Sequence, residues 1–288
     1  MTIESGTLSA LNQSLCLAWL QGTFARRAPT QILEKSRVFS PETASWLLGD
    51  LPIFSRVTTV PNALQRCRQL GGKGMQVHII RAPVSGDNPR LLEENYRLRH
   101  KIFVDLQGWN DLRRPDGRDI DDFDNADATH ILVTDGEELV GGSRITPLNR
   151  PNLLQTVFHG LVLGDLPADP SLGADWTRFY VRPDRREGRR RAPESAALFC
   201  AMMEYALAEG FTFITFVSSL SMVEHGTSVG WRITPLGAPV LVDGKATVAA
   251  WIEVSEQALY NVRRATGMSH ALIPASALRR GQGEALTA

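Results

Sequence analysis

The tightest constraint on how this chain can fold lies between Trp176 and Gly210, where a strand-like run, an arginine-rich loop and a long helix follow one another directly. Trp176 to Val181 reads as the strand, and the loop is Arg182-Pro-Asp-Arg-Arg-Glu-Gly-Arg-Arg-Arg191. The helix runs from Pro193 to Glu209. Pro193 suits a first helical turn, where its missing N–H costs little, and Gly210 suits the residue that ends it. Further strands are expected at Val77 to Ile80, Thr129 to Thr134, Glu138 to Leu148, Phe211 to Val217, Arg232 to Val242 and Ala246 to Glu253. Asp135-Gly136 marks a tight hairpin between the second and third of these. Between about Arg90 and Leu106, Leu91, Tyr96, Leu98, Ile102, Phe103 and Leu106 recur mostly at three- and four-residue steps, which predicts an amphipathic helix. A second short helix is expected at about Leu220 to Ser228. This order of elements packs most naturally as an α/β/α sandwich around a mixed, mostly antiparallel sheet.

Bulk properties narrow the function classes. Lys plus Arg and Asp plus Glu both total 31 in 288 residues, so net charge gives no support to a nucleic-acid or membrane-surface role. Cys16, Cys67 and Cys200 are widely spaced, without a disulfide framework or a Cys/His zinc cluster. Leu15 to Leu20 is far too short to span a membrane, and a cytoplasmic protein is expected.

Two constellations could carry chemistry. In the loop, Arg185, Arg186, Arg189, Arg190 and Arg191 precede a helix start, an arrangement suited to a pyrophosphate, a phosphopantetheine or an acidic carrier protein, or simply to a solvated surface. The acidic run Asp119-Ile-Asp121-Asp122-Phe123-Asp124 lacks the glycine and closing glutamate of a calcium loop. Its carboxylates are better matched to Arg99, Arg144 and Arg178, a pairing that could also hold an amino acid zwitterion. His78, His100, His130, His159, His225 and His270 are scattered singly, and no nucleophile–histidine pair can be proposed from spacing. Direct attack of one substrate on another remains, with the protein positioning the pair.

Residue blocks in order then point to a family. Tyr96-Arg-Leu-Arg-His100, Phe103 and Trp109 form the first, with Gln107 where leucine is usual. Asp119 to Asp124 follows an E-x-D-x-[YF]-D pattern, with Asp119 replacing its glutamate. Gly142-Ser-Arg144 precedes a proline-containing loop and Phe158. Ala174-Asp175-Trp176-Thr177-Arg178 stands against W-E-x-[ST]-R, where Thr177 and Arg178 fit while the glutamate position holds Asp175. Thr215-Phe-Val-Ser218, Met222 and Gly230-Trp231 complete the series. From Met75 to Gly267 the chain resembles the LuxI family of autoinducer synthases, which share the acetyltransferase-type (GNAT) sandwich.

The resemblance implies acyl-homoserine-lactone synthesis for quorum sensing. The amine of S-adenosylmethionine, a co-substrate rather than a cofactor, is acylated from a thioester, and the product lactonises with release of methylthioadenosine. It further implies that Arg99, Phe103, Trp109, Asp121, Asp124 and Arg144 bind S-adenosylmethionine. Asp175 is then the expected base, through a bridging water because its side chain is short. Arg178 belongs to the catalytic strand, whose backbone N–H groups receive the oxyanion. An acyl tunnel would be lined by Phe179, Phe199, Met202, Met203, Phe213 and Phe216, with Thr215 meeting the oxygen of a 3-oxoacyl donor. Either acyl carrier protein or acyl-CoA could be the donor, the arginine loop leaning the expectation toward the carrier. No metal, nucleic-acid or membrane partner is expected. An N-acyl amino acid synthase or other GNAT-type acyltransferase is the alternative activity.

Residues 1–74 have no counterpart in the resemblance. Gly71-Gly72-Lys73-Gly74 precedes Met75, and purine-rich glycine and lysine codons resemble a ribosome-binding site. Translation from Met75 and a small helical extension are both open readings. Residues 268–288 are expected to form a C-terminal tail.

Overall fold

The computed structural model describes residues 74–81, 88–186 and 192–278; the proposed extension falls outside them. An eight-stranded sheet organises these residues. Its strands are β1 (Met75–Arg81), β2 (Thr129–Asp135), β3 (Glu138–Pro147), β4 (Gly173–Val181), β5 (Phe213–Ser219), β6 (Ile233–Pro235), β7 (Val240–Val242) and β8 (Lys245–Glu253). Spatial order is β1-β2-β3-β4-β5-β8-β6, with β7 also on β8. All pairings are antiparallel except β4 with β5. The predicted strand from Arg232 to Val242 is therefore two strands on one edge of β8. Pro235 and Pro239 flank the break, consistent with proline's inability to donate to a ladder.

Helices α1 (Pro89–Arg99), α2 (Leu153–Thr156), α3 (Pro193–Ala208), α4 (Leu220–Ser228) and α5 (Glu256–Thr266) complete the frame. Side chains alternate across the sheet, giving it two distinct faces. On one, Ile131, Val133, Ile145, Trp176, Ile214 and Phe216 pack with α3 and α5. Every residue of α3 from Glu194 to Ala206 is buried, which explains why its amphipathic signal is weak. On the other face, Leu148, Leu154 and Phe213 form one cluster, and Ile102, Phe103 and Tyr180 another. Phe213 thus lies across the sheet from Phe199, Met202 and Met203, and the expected acyl tunnel cannot include all of them.

Three local features set up the site. The helix expected to reach Leu106 stays α-helical only to Arg99, and His100–Leu106 forms wider, π-helical turns. The Gln107 N–H reaches the Ile102 carbonyl at 3.0 Å, and that of Trp109 reaches the Phe103 carbonyl at 2.9 Å. Such bulges recur at functional sites. Second, β4 and β5 pair only from Gly173–Trp176 and Phe213–Phe216, although both strands continue; beyond that point they splay apart. Third, β4 shifts register against β3, and Arg178 takes a left-handed φ of 53°. The shift lets neighbouring Thr177 and Arg178 reach the same charged cluster.

Helix α5 was not anticipated from the sequence. Ser255 caps it by accepting the Ala258 N–H, and Gly267 ends it at φ 77°. Beyond Gly267 the chain returns to α3, where the Glu204 carboxylate accepts the N–H groups of Leu272 and Ile273.

Candidate active site

Arg99 at the end of α1, Arg144 on β3 and Arg178 at the β4 bulge converge on the loop bearing Asp119, Asp121 and Asp124. Arg99 donates through Nε to Asp119 (3.1 Å) and through both terminal nitrogens to Asp124 (2.7 and 3.0 Å). Arg178 Nε lies 2.8 Å from Asp119 Oδ2, and its Nη2 lies 2.9 Å from Asp121 Oδ2. Arg144 grips Asp121 at 2.5 and 3.1 Å and also meets Asp124 at 2.9 Å. Each arginine therefore bridges two aspartates and each aspartate two arginines, closing a charge-balanced ring. The sequence suggested the pairing, but not its closure.

Burying six ions costs more than their pairing alone is sure to return, so stability is a weak reason for such a ring. A fixed array of forks and carboxylates can orient a charged ligand. Burial works against ionisation of Asp119 and Asp124, yet their arginine partners hold both below the ordinary carboxylate range. His130 adds no fourth positive charge. Burial, with Arg99 and Arg144 nearby, pushes it down to about 3 despite Asp124 at 3.6 Å. Asp121 is the most exposed carboxylate of the ring, at 14%.

The aromatic groups expected beside this cluster are there. Phe103 and Trp109 stack with centroids 4.9 Å apart, and the Arg178 guanidinium lies 5.7 Å from each ring. Sequence reading had not assigned a role to the Thr177 hydroxyl, which accepts from Arg144 Nε at 3.0 Å. Nor had it placed Tyr180, whose hydroxyl donates to Asn95 at 2.8 Å behind Phe103.

Asp175 occupies β4 two residues before Thr177, one pair short of the splay between β4 and β5. Its exposure is 1%. Thr215 Oγ1 donates to one carboxylate oxygen at 3.0 Å, and the Leu154 N–H donates to the other at 3.2 Å. Desolvation nevertheless raises the Asp175 pKa to about 6, in the range where a carboxylate can exchange protons near neutrality.

Around the arginine loop the geometry is different. Arg185 is engaged with Asp135 at 3.0 Å and Glu138 at 2.5 Å on the β2–β3 hairpin. Arg189, Arg190 and Arg191 lie outside the described residues, as does the side chain of Arg186. On the α3 side of the sheet, Trp176, Phe179, Phe199 and Trp231 form an aromatic cluster beside a cleft of about 160 Å³ lined by Pro193, Ser195, Phe199, His225 and Thr266.

Residues 87–262 match the profile of the family described as autoinducer synthase. The chain belongs to the autoinducer synthase family. Its activity is acyl-homoserine-lactone synthesis, an acyl transfer serving quorum sensing. The isovaleryl-homoserine lactone synthase of Bradyrhizobium diazoefficiens is 34% identical over 179 residues, covering 62% of this chain and 80% of that protein. BjaI, a CoA-dependent acyl-homoserine lactone synthase solved with S-adenosylmethionine and isopentyl-CoA, has a TM-score of 0.64 at 32% identity, covering 72% of this chain and 98% of its own. MesI, another CoA-dependent synthase, gives 0.61 at 29% identity, covering 68% and 98%. This synthase therefore shares the α/β/α architecture of its family, and no helix among the described residues is long and apolar enough to cross a membrane.

Proposed function

We propose that this synthase joins the amine of S-adenosylmethionine to the acyl group of a CoA thioester, with Asp175 as the proton acceptor. The observation that carries the reading is the placement, on one face of the sheet, of a closed arginine–aspartate ring, a stacked Phe103–Trp109 pair and a buried carboxylate beside the β4–β5 opening. In this reading the aromatic faces meet the adenosyl sulfonium, and the ring orients the amino acid end. Asp121 and Arg178, at the ring's more exposed edge, exchange partners with the substrate's ammonium and carboxylate. Arg99, Asp124 and Arg144 hold the remainder fixed.

Asp175 takes the ammonium proton, directly or through water, and the freed nitrogen attacks the thioester carbonyl. Backbone N–H groups beyond Arg178 on splayed β4 receive the oxyanion. The C–S bond then breaks, the nitrogen gives up its second proton, and the departing thiolate takes it up and leaves as the thiol. In the second step the substrate's carboxylate attacks its own γ-carbon, the bond to the sulfonium breaks, and methylthioadenosine leaves as the lactone closes.

A CoA donor is favoured by two CoA-dependent relatives. The test is turnover with S-adenosylmethionine and matched acyl-CoA and acyl-carrier-protein panels, with lactone and methylthioadenosine identified by mass spectrometry. Lactone from CoA thioesters at higher kcat/KM is expected. Turnover from the carrier alone would overturn the donor assignment, and no lactone from either would overturn the reaction.

A further inference from the structure

We infer that Thr215 is a positioning residue for Asp175, holding the carboxylate oriented toward the β4–β5 opening, rather than a reader of the 3-oxo group on the acyl chain. This rests on Asp175 being the base.

Thr215 is fully buried on β5, directly opposite Asp175 in the one parallel pairing of the sheet. Its hydroxyl carries a single proton. That proton has the Asp175 Oδ1 at 3.0 Å as acceptor, with the Ala174 carbonyl at 3.4 Å as the weaker alternative. A hydrogen bond to an ionised carboxylate is the stronger of the two, so a 3-oxo group would have to displace it. Ile214 and Phe216, on either side of Thr215, point to the α3 side, where the aromatic cluster lies; Thr215 points away, to the face of Asp175 and the charged ring.

Asp175 is thereby held at both oxygens from two elements, by the hydroxyl of β5 and by the Leu154 N–H that opens α2. The charged group acting on it is Arg144 of β3; Leu153 of α2 also turns its N–H toward it. A side chain one methylene shorter than glutamate gains from such anchoring, because a bridging water tolerates less error in where the carboxylate lies. Burial raises the Asp175 pKa, while the Thr215 hydroxyl pulls it the other way by favouring the charged form.

The test is the pH dependence of kcat/KM for Thr215→Val, Thr215→Cys and Thr215→Ser, each with two acyl-CoA donors of equal length, one bearing a 3-oxo group. Thr215→Val should move the acidic limb upward by about one pH unit, equally for both donors. Thr215→Cys, a weaker donor of similar size, should move it in the same direction by less, and supplies the answer if the valine variant does not fold. Thr215→Ser should keep the wild-type limb. An unmoved limb in the valine and cysteine variants, or a tenfold change in donor preference without a moved limb, overturns the inference. Wild-type kcat/KM in Asp175→Asn would instead overturn the assignment of the base on which it rests.

Discussion

Arg178 donates to Asp119 across 2.8 Å from a backbone held at a φ of 53°, a conformation that L side chains other than asparagine and aspartate seldom adopt. The strain is retained because the turn at Arg178 delivers its guanidinium to Asp119 and Asp121 together. Lysine at this position keeps the charge but is a point donor without a fork. Arg178→Lys should fold, yet raise KM for S-adenosylmethionine at least about tenfold, because one edge of the ring loses its bridge. Steady-state kinetics at saturating acyl-CoA, alongside a thermal unfolding curve, check both parts.

As the proposed proton acceptor, Asp175 would set activity against stability. Its folded pKa of about 6 lies above the unfolded value of 3.8, so its contribution to stability is fully present below 3.8 and is lost as pH rises through about 6. At about pH 7 the ionised, buried group weighs against the fold by an amount on the order of 1–3 kcal/mol. Asp175→Asn should therefore melt no lower than the wild type at that pH, while kcat falls about a hundredfold or more. Calorimetry and lactone formation on the same preparation would separate the two effects. A variant that melts much lower would show that the ionised carboxylate is needed for folding.

The ring aspartates carry the opposite sign. Asp119 and Asp124 are held below 3.8 in the folded protein, so their stabilisation is complete above that value and is lost as pH falls toward their folded pKa values. Taken with Asp175, the melting temperature should rise modestly from about pH 7 to about pH 5 and then fall steeply below about pH 4. A melting series across this range, repeated with Asp175→Asn, should show the rise abolished and the acid fall unchanged.

Much of this arrangement is legible in the chain because it is written in local spacing. Asp135-Gly136 announces the β2–β3 hairpin, Pro193 and Gly210 bracket α3, and the acidic run with three arginines announces the ion pairs. What escapes is set by tertiary register. Nothing local shows that Thr215 faces Asp175 rather than the aromatic cluster, since a two-residue period fixes which residues share a face but not which face meets which partner. The widened turns at His100–Leu106 and the left-handed Arg178 are likewise imposed by packing and carry no composition signal. Helix α5 did have one: Ser255 and Gly267 flank apolar Ala258, Leu259 and Val262 at helical spacing.

Trp109 is only partly buried and stacks on Phe103, and in the proposed reading its ring meets the adenosyl sulfonium. Trp109→Ala should cost little in stability and raise KM for S-adenosylmethionine by roughly 5- to 30-fold, the factor expected for losing one cation–π contact of about 1–2 kcal/mol. Trp109→Phe should recover most of it. KM for the acyl-CoA should stay unchanged in both, which distinguishes a loss of sulfonium recognition from a general loosening of the site.

The segment after Gly267 packs apolar side chains on the core and is tied to α3 through the Glu204 carboxylate. Glu204 of α3 accepts from Leu272 N–H at 2.9 Å, Ile273 N–H at 3.0 Å and Arg263 Nη2 at 2.8 Å, while Ile273 is buried against the α3 side of the core. Glu204→Ala leaves those backbone donors without a protein acceptor and removes the partner of Arg263, a loss of about 2–3 kcal/mol for charge-assisted bonds. Glu204→Gln keeps the acceptor oxygen but not its charge, and should lose roughly half as much. Both changes lie on the far side of the sheet from Asp175 and the ring, so kcat and KM should hold wherever the variant is folded. Hydrogen exchange reads the effect locally: amides of residues 272 and 273 should lose protection in Glu204→Ala while those of β2 and β3 keep theirs. Equal loss in both places would mean that Glu204 stabilises the whole domain rather than anchoring this segment to it.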